Sequence, residues 1–181
     1  MGNEIRFWHE EHAYFNRLLA LLHRQVDAFA TGERPNYQLM LDVISYLRDY
    51  ADQFHHPRED VAFGILAKRC PDMALPLARL KQEHQVIAYA GARLLQQLGA
   101  ILGEAMVSRA EVEMAAATYL VYYGNHIAKE EEDVLPRAAQ VLTLQDWAAV
   151  RDAAPVGRDP LFGDHPEERY RELRRQIALE A

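Results

Sequence analysis

Cysteine is nearly absent from this chain. Cys70 stands alone, which excludes an internal disulfide and any zinc site built from cysteine only. Long apolar runs are missing too: none approaches the ~18 residues of a membrane span, and the opening MGNEIRFWHEEH lacks the apolar centre of a signal peptide. Gly2 invites an acylation reading, but Arg6 stands where that motif takes Ser or Thr. Positive charge is in deficit. Lys and Arg number 20 against 27 Asp and Glu, a net charge of −7, so no general basic footprint for nucleic acid or anionic lipid exists. Gly and Pro, at 9 and 8, punctuate only at wide intervals, and strand-like alternation is lacking. What remains is ordinary for a folded protein: 26% charged and 50% hydrophobic over 181 residues. That is too apolar for disorder and long enough for a core without staples. The expectation is a cytoplasmic domain without nucleic-acid or membrane partners.

The 3.6-residue apolar period recurs four times. Asn3 can cap a first helix to about Thr31–Gly32, striped by Ile5, Trp8, Phe15, Leu19, Leu22 and Val26. A second starts after Pro35–Asn36, carries Met40, Ile44, Leu47 and Ala51, and runs past Pro57 through Val61, Phe63 and Leu66. The third, from about Asp72 to Gly103, steps without a miss through Leu77, Leu80, His84, Ile87, Gly91, Leu94, Leu98 and Ile101. Ser108 opens the fourth, with Glu111 completing a capping box. Val112, Ala115, Tyr119, Tyr122 and His126 follow, and Pro136 closes it. Four amphipathic helices of about 27–32 residues on short loops predict an all-α fold, an up-down-up-down four-helix bundle over residues 1–142. Residues 143–181 form an extension packed on it: a short helix over Leu144–Ala153, the loop PVGRDPLFGDHP, and a charged terminal helix over Glu167–Leu179.

Each stripe places a histidine where an apolar residue belongs: His12, His55, His84 and His126. Two are followed one turn on by a carboxylate, His55 by Glu59 and His126 by Glu130, so each pair shares a helix face. One such histidine is ordinarily a hydrogen-bonded core group, and one such pair a surface ion pair. Depth separates the readings. In an antiparallel bundle the four histidines lie about 9–14 residues from the same end, which at about 1.5 Å per residue is one layer. Burying four imidazoles and two carboxylates together without a cation would cost several kcal/mol per unpaired charge. A metal centre is therefore expected, with His12, His55, Glu59, His84, His126 and Glu130 as ligands. The set has too many oxygens and no sulfur for structural zinc, and too much nitrogen for calcium or magnesium. It suits a pair of iron or manganese ions bridged by carboxylates, with positions left open.

The order H…HxxxE…H…HxxxE, with the flanking words EEHAYF, FHHPRED, LKQEH and HIAKEEEDVLP, resembles the hemerythrin-like, or HHE cation-binding, domain over about residues 5–140. The resemblance implies a four-helix bundle holding two iron ions (Fe2+/Fe3+), with manganese or zinc as substitutes, that binds dioxygen, peroxide or nitric oxide. Two departures stand out. Oxygen carriers of that family place two histidines a turn apart on the third helix, whereas Leu80 and Ala88 flank His84 here; a more open site, prone to redox turnover or metal exchange, is expected rather than reversible carriage. Pro57 also interrupts the His55–Glu59 turn, which keeps His56 with Asp60 as an alternative pair.

Of the remaining groups, Glu131 is the first alternative to Glu130, and Tyr119, Tyr122 and Tyr123 read as core near the site. Glu11 and Glu83 point about 100° from their neighbouring histidines and read as surface groups. His9, His23 and His165 read as exposed, and Cys70 as a bystander. A metal-stabilised regulatory module docking through residues 167–179 is the competing reading. A homodimer is compatible with the sequence, which leaves the oligomeric state open.

Overall fold

The computed structural model describes residues 3–155 and 157–179; Gly2 and the capping side chain of Asn3 lie outside the described residues. Among the described residues there is no strand. Helix α1 spans Asn3–Thr31 and stops at Gly32, whose φ of 81° is the left-handed turn a helix end favours. Helix α2 (Tyr37–Tyr46) is capped by Asn36, which accepts from the Leu39 amide. Helix α3 covers His56–Arg69, α4 covers Ala74–Leu102, and α5 covers Arg109–Lys129. Helices α6 (Leu135–Val141), α7 (Leu144–Ala153) and α8 (Arg171–Leu179) complete the order.

The second and fourth segments are not the simple helices expected. A π-helical stretch, Leu47–His55, joins α2 to α3, and another, Glu130–Val134, joins α5 to α6. In both, the next amide reaches back five residues: His56 to the Ala51 carbonyl and Leu135 to that of Glu130. Each wide turn ends two residues before a proline, Pro57 or Pro136. Proline brings no N–H and crowds the carbonyl four residues back; the wider turn makes room, so the chain stays helical through both prolines. Pro136 therefore does not close the fourth segment, which runs on to Val141.

Smaller departures have local causes. Pro71–Met73 forms a 3₁₀ turn ahead of α4, with Pro71 at the first position, where no N–H is needed. Ser108 precedes α5 without any side-chain cap, so the expected box with Glu111 is not made. Tyr122 is exposed and Tyr123 takes its place inside, the buried face being Val112, Ala116, Tyr119, Tyr123 and His126. A capping box forms instead at Thr143, whose hydroxyl accepts from the Asp146 amide while Asp146 accepts from Thr143. Thr143→Ala is expected to cost about 1 kcal/mol by urea unfolding, with the metal site intact.

The long rods pack α4 against α5, α5 against α1, α1 against α2, and α2 and α3 against α4. Helix α7 lies on α3, and α8 on α2 and α1. Tyr170 and Leu173 are buried there, Tyr170 edge-on to Tyr46 at 5.8 Å, whereas Leu179 at the end of α8 is exposed. The apolar core is split in two. Phe15, Ala51, Ile87 and Tyr123 belong to one cluster; Trp8, Ala62, Leu80 and Val134 belong to the other. On every rod the expected ligands fall between the two.

Candidate metal centre

The polar layer is buried. His12, His55, Glu59, His126 and Glu130 are at most 1% exposed, His56 is 4% and His84 is 6%. Glu59 and Glu130 occupy its middle. Glu59 Oε1 lies 3.1 Å from His55 Nε2 and 3.3 Å from His12 Nε2, and its Oε2 lies 3.5 Å from His84 Nε2. Glu130 spans the same gap: Oε2 is 3.5 Å from His12 Nε2, and Oε1 is 3.0 Å from His126 and 3.6 Å from His84. All six residues expected from the sequence thus converge.

They are joined by a seventh. His55 and His56 are both buried, because the wide turn before Pro57 swings consecutive side chains inward. The choice between His55/Glu59 and His56/Asp60 is therefore a false one. His56 stacks on His84 at 4.3 Å, and the Tyr123 hydroxyl lies 3.3 Å from its Nε2. Two groups of potential ligand atoms result: His12, His55 and Glu59, and His56, Glu59, His84 and His126. They share Glu59.

Asp60 does something else. It accepts from His84 Nδ1 at 3.0 Å, and three further carboxylates act alike. Glu131 accepts from His12 Nδ1 at 2.6 Å, Glu11 from His55 Nδ1 at 2.9 Å, and Glu83 from His126 Nδ1 at 3.1 Å. Asp52 Oδ1 stands 3.2 Å from His56 Nδ1. A carboxylate on Nδ1 fixes the tautomer with its proton outward and aims the Nε2 lone pair at a metal. Glu11 and Glu83 are accordingly not surface groups of the kind expected. Glu11 is 2% exposed and also takes hydrogen bonds from Tyr50 and Arg58. Glu83 is half-buried and also pairs with Lys129. Nor is Glu131 a substitute for Glu130, since it binds the outer edge of His12 and also His9.

A signal for this ring was present in the sequence. Glu11, Asp60, Glu83 and Glu131 each sit one residue from a ligand of their own helix, in EEH, ED, QEH and EEE. A step of about 100° turns each away from its own helix's ligand and onto the histidine of a neighbour. Glu11→Gln or Asp60→Asn is expected to weaken metal affinity about 10–100-fold by equilibrium titration while leaving the fold intact.

The charges follow from the geometry. Burial alone would depress His12, but hydrogen bonds to Glu131 and Glu59 and the charge of Glu130 carry it up to about 10. Burial likewise opposes His84, yet Asp60, Glu130 and Glu59 take it up to about 11. His56 goes the other way, held well below its ordinary value by burial and by the adjoining imidazoles. For Glu59, burial works upward, but His55, His12 and His84 hold it well below the carboxylate range.

Five buried atoms of the layer have no hydrogen-bond partner: Glu59 Oε2, His84 Nε2, His126 Nε2 and both oxygens of Glu130. All face the same interior, and each can act as a ligand atom once any proton it carries has left. Such atoms are costly unless a cation lies among them. The residues present therefore fit a metal: mixed nitrogen and oxygen donors, with an outer ring already set. Around them stand Phe15, edge-on to His55 at 4.9 Å, Trp8 at 6.4 Å from His55, and Phe63 at 6.0 Å from His84.

The fold and this layer define a helical cation-binding protein. The chain belongs to the hemerythrin family: the model of the hemerythrin HHE cation binding domain matches residues 3–138. No curated protein and no solved structure matches it significantly. No helix among the described residues is long and apolar enough to cross a membrane.

Proposed function

We propose that this protein holds two iron ions in the buried layer and presents them to dioxygen, peroxide or nitric oxide for sensing, scavenging or slow redox turnover. One observation carries the reading. Four inward imidazoles are each locked by a carboxylate on Nδ1, while inward atoms of His84, His126, Glu59 and Glu130 lack partners. His12, His55 and Glu59 would hold one ion, and His56, Glu59, His84 and His126 the other. The two oxygens of Glu130 face both groups, which suits a second bridging carboxylate. Five imidazoles thereby gather without a second histidine on α4, because His56 supplies the fifth from α3.

Iron there supplies one-electron redox change and an open position for a small ligand. The chain does the rest. Trp8, Phe15 and Phe63 exclude bulk water, Glu11, Asp60, Glu83 and Glu131 hold the imidazole orientations, and Tyr123 places a fully buried hydroxyl beside His56. That hydroxyl is pushed well above its ordinary value by burial, so it acts as a hydrogen-bond donor. Short loops and the rod contacts support the up-down-up-down topology over residues 1–142, with 143–181 as a packed extension.

Metal analysis with an anaerobic-to-aerobic optical titration tests the reading. Two irons per chain are expected, with near-ultraviolet ferric bands that respond to azide or peroxide. Redox-silent zinc would favour a metal-stabilised regulatory module instead. His84→Ala and His126→Ala should each lower bound iron to well under two per chain; full loading in both would contradict the assignment.

A further inference from the structure

Among the described residues the additional helices lie over α1, α2 and α3. Helix α7 lies on α3 and α8 on α2 and α1; among the described residues no further helix lies over the groove between α4 and α5. That groove holds a depression of about 380 Å³ lined by Val86, Tyr89, Met114 and Tyr122. Tyr89 is 73% exposed, Met114 65% and Tyr122 46%, with Val121 at 60% beside them. The other exposed large apolar side chains, such as Phe7, Leu75, Leu144 and Leu179, lie away from this groove, on other elements or at the far end of α4. Clustered apolar exposure of this kind marks an interaction surface, whereas scattered residues do not.

The charges at its two ends select the occupant. At one end Glu83 on α4 pairs with Lys129 on α5 at 3.0 Å. At the other, Arg93 on α4 and Glu111 on α5 line the depression. Along the groove α4 thus runs from Glu83 to Arg93 and α5 from Glu111 to Lys129, minus to plus on each, with α5 running the other way. The Glu83–Lys129 pair and the contact of Gly91 with Tyr119 (3.1 Å from an added Cβ) fix the relative level of the helices. Counting from them at about 1.5 Å per residue puts Tyr89 and Tyr122 at one height, midway between the charged ends. A two-fold axis through that height, across the helices, brings Arg93 against Glu83 of the second copy and Glu111 against Lys129 of the second copy. The misalignment is only about 5 Å, within reach of long side chains. An isologous contact needs this property: each surface must complement itself.

We propose that the α4–α5 face is a self-association surface on which a second copy of this chain docks antiparallel, with Tyr89 and Tyr122 at its centre and the charged ends paired across the two-fold. The surface is modest. About 20 Å of two adjacent helices, each about 10 Å wide, gives an area at the low end for specific interfaces, so the dimer is weak and concentration-dependent. Two tyrosines at the middle of a polar-rimmed patch are the anchors such an interface uses. The proposal rests on this outer face and not on the identity of the metal.

Sedimentation velocity on the intact protein, metal-loaded and metal-free, from about 1 to 500 μM tests it. Wild type should pass from one-chain to two-chain mass within that range. Tyr89→Glu should weaken association at least tenfold, and Arg93→Glu several-fold, with unchanged thermal melts because both side chains are exposed. Tyr89→Cys should give a covalent dimer with a short bis-maleimide, since the same position of the second copy lies across the axis while the native Cys70 is buried. A wild type that stays monomeric throughout overturns the proposal and leaves the face to a different protein. A dimer indifferent to both Tyr89→Glu and Arg93→Glu overturns it equally, by placing the interface elsewhere.

Discussion

Glu59→Ala is expected to abolish stable metal loading at both positions, leaving well below one ion per chain by elemental analysis of the purified protein. Its carboxylate is common to both groups of ligand atoms, with one oxygen toward His12 and His55 and the other toward His84. No other side chain belongs to both groups. His56→Ala provides the contrast: it touches one group alone, so one position should be impaired and the other retained. The variants also differ in the metal-free state. Removing Glu59 leaves His12 and His84 without a buried anion that favours their protonation, a change of the kind that costs about 3–5 kcal/mol. His56, held neutral by burial and by its imidazole neighbours, leaves no unpaired charge behind. Equal metal loss in Glu59→Ala and His56→Ala would contradict the shared-carboxylate arrangement.

Proton release on metal binding is the second large effect. In the metal-free fold His12 is carried up to about 10 and His84 up to about 11, from an ordinary 6.5. Both hold protons at pH 7, and both must surrender them for Nε2 to bind a cation. Loading at pH 7 should therefore release about two protons per chain from these groups, measurable by calorimetry in buffers of differing ionisation enthalpy. Stability of the metal-free fold varies with pH through the same groups. A raised histidine contributes stability that is complete below about 6.5 and is lost as pH rises through about 10–11. Glu59, held low, contributes above about 4.5 and loses that contribution as pH falls through its depressed value. Protons and metal compete, so apparent metal affinity should climb from pH 7 toward 10, and retention should collapse in acid. Binding at pH 7 with no proton uptake by the buffer, or retention flat down to pH 4, would argue against these histidines as ligands.

The two wide turns bear on both predictions. Each lies where a ligand pair stands, before Pro57 and within Glu130–Val134. Through the first of them the second element can supply two adjacent imidazoles and a carboxylate four residues after the first. Proline in such a place signals disruption to a reader of sequence. In the folded chain the helix is widened there instead.

Much was legible beforehand because it depends on period and spacing alone. The stripe Leu77–Leu80–His84–Ile87–Gly91–Leu94–Leu98 is buried, with Ile101 at its end only half-buried, since steps of three and four keep residues on one helix face whatever lies opposite. The same arithmetic put His12, His55, His84 and His126 at a common depth, and the extent of α7 needed only its local pattern. Tertiary structure decided what depends on a neighbour's direction. Whether His56 turns inward depends on how the turn before Pro57 opens, and whether Glu11 faces water depends on His55 and Tyr50 of another segment. Periodicity reports one helix at a time, whereas a carboxylate's partner is chosen by the element across from it, and only packing supplies that element.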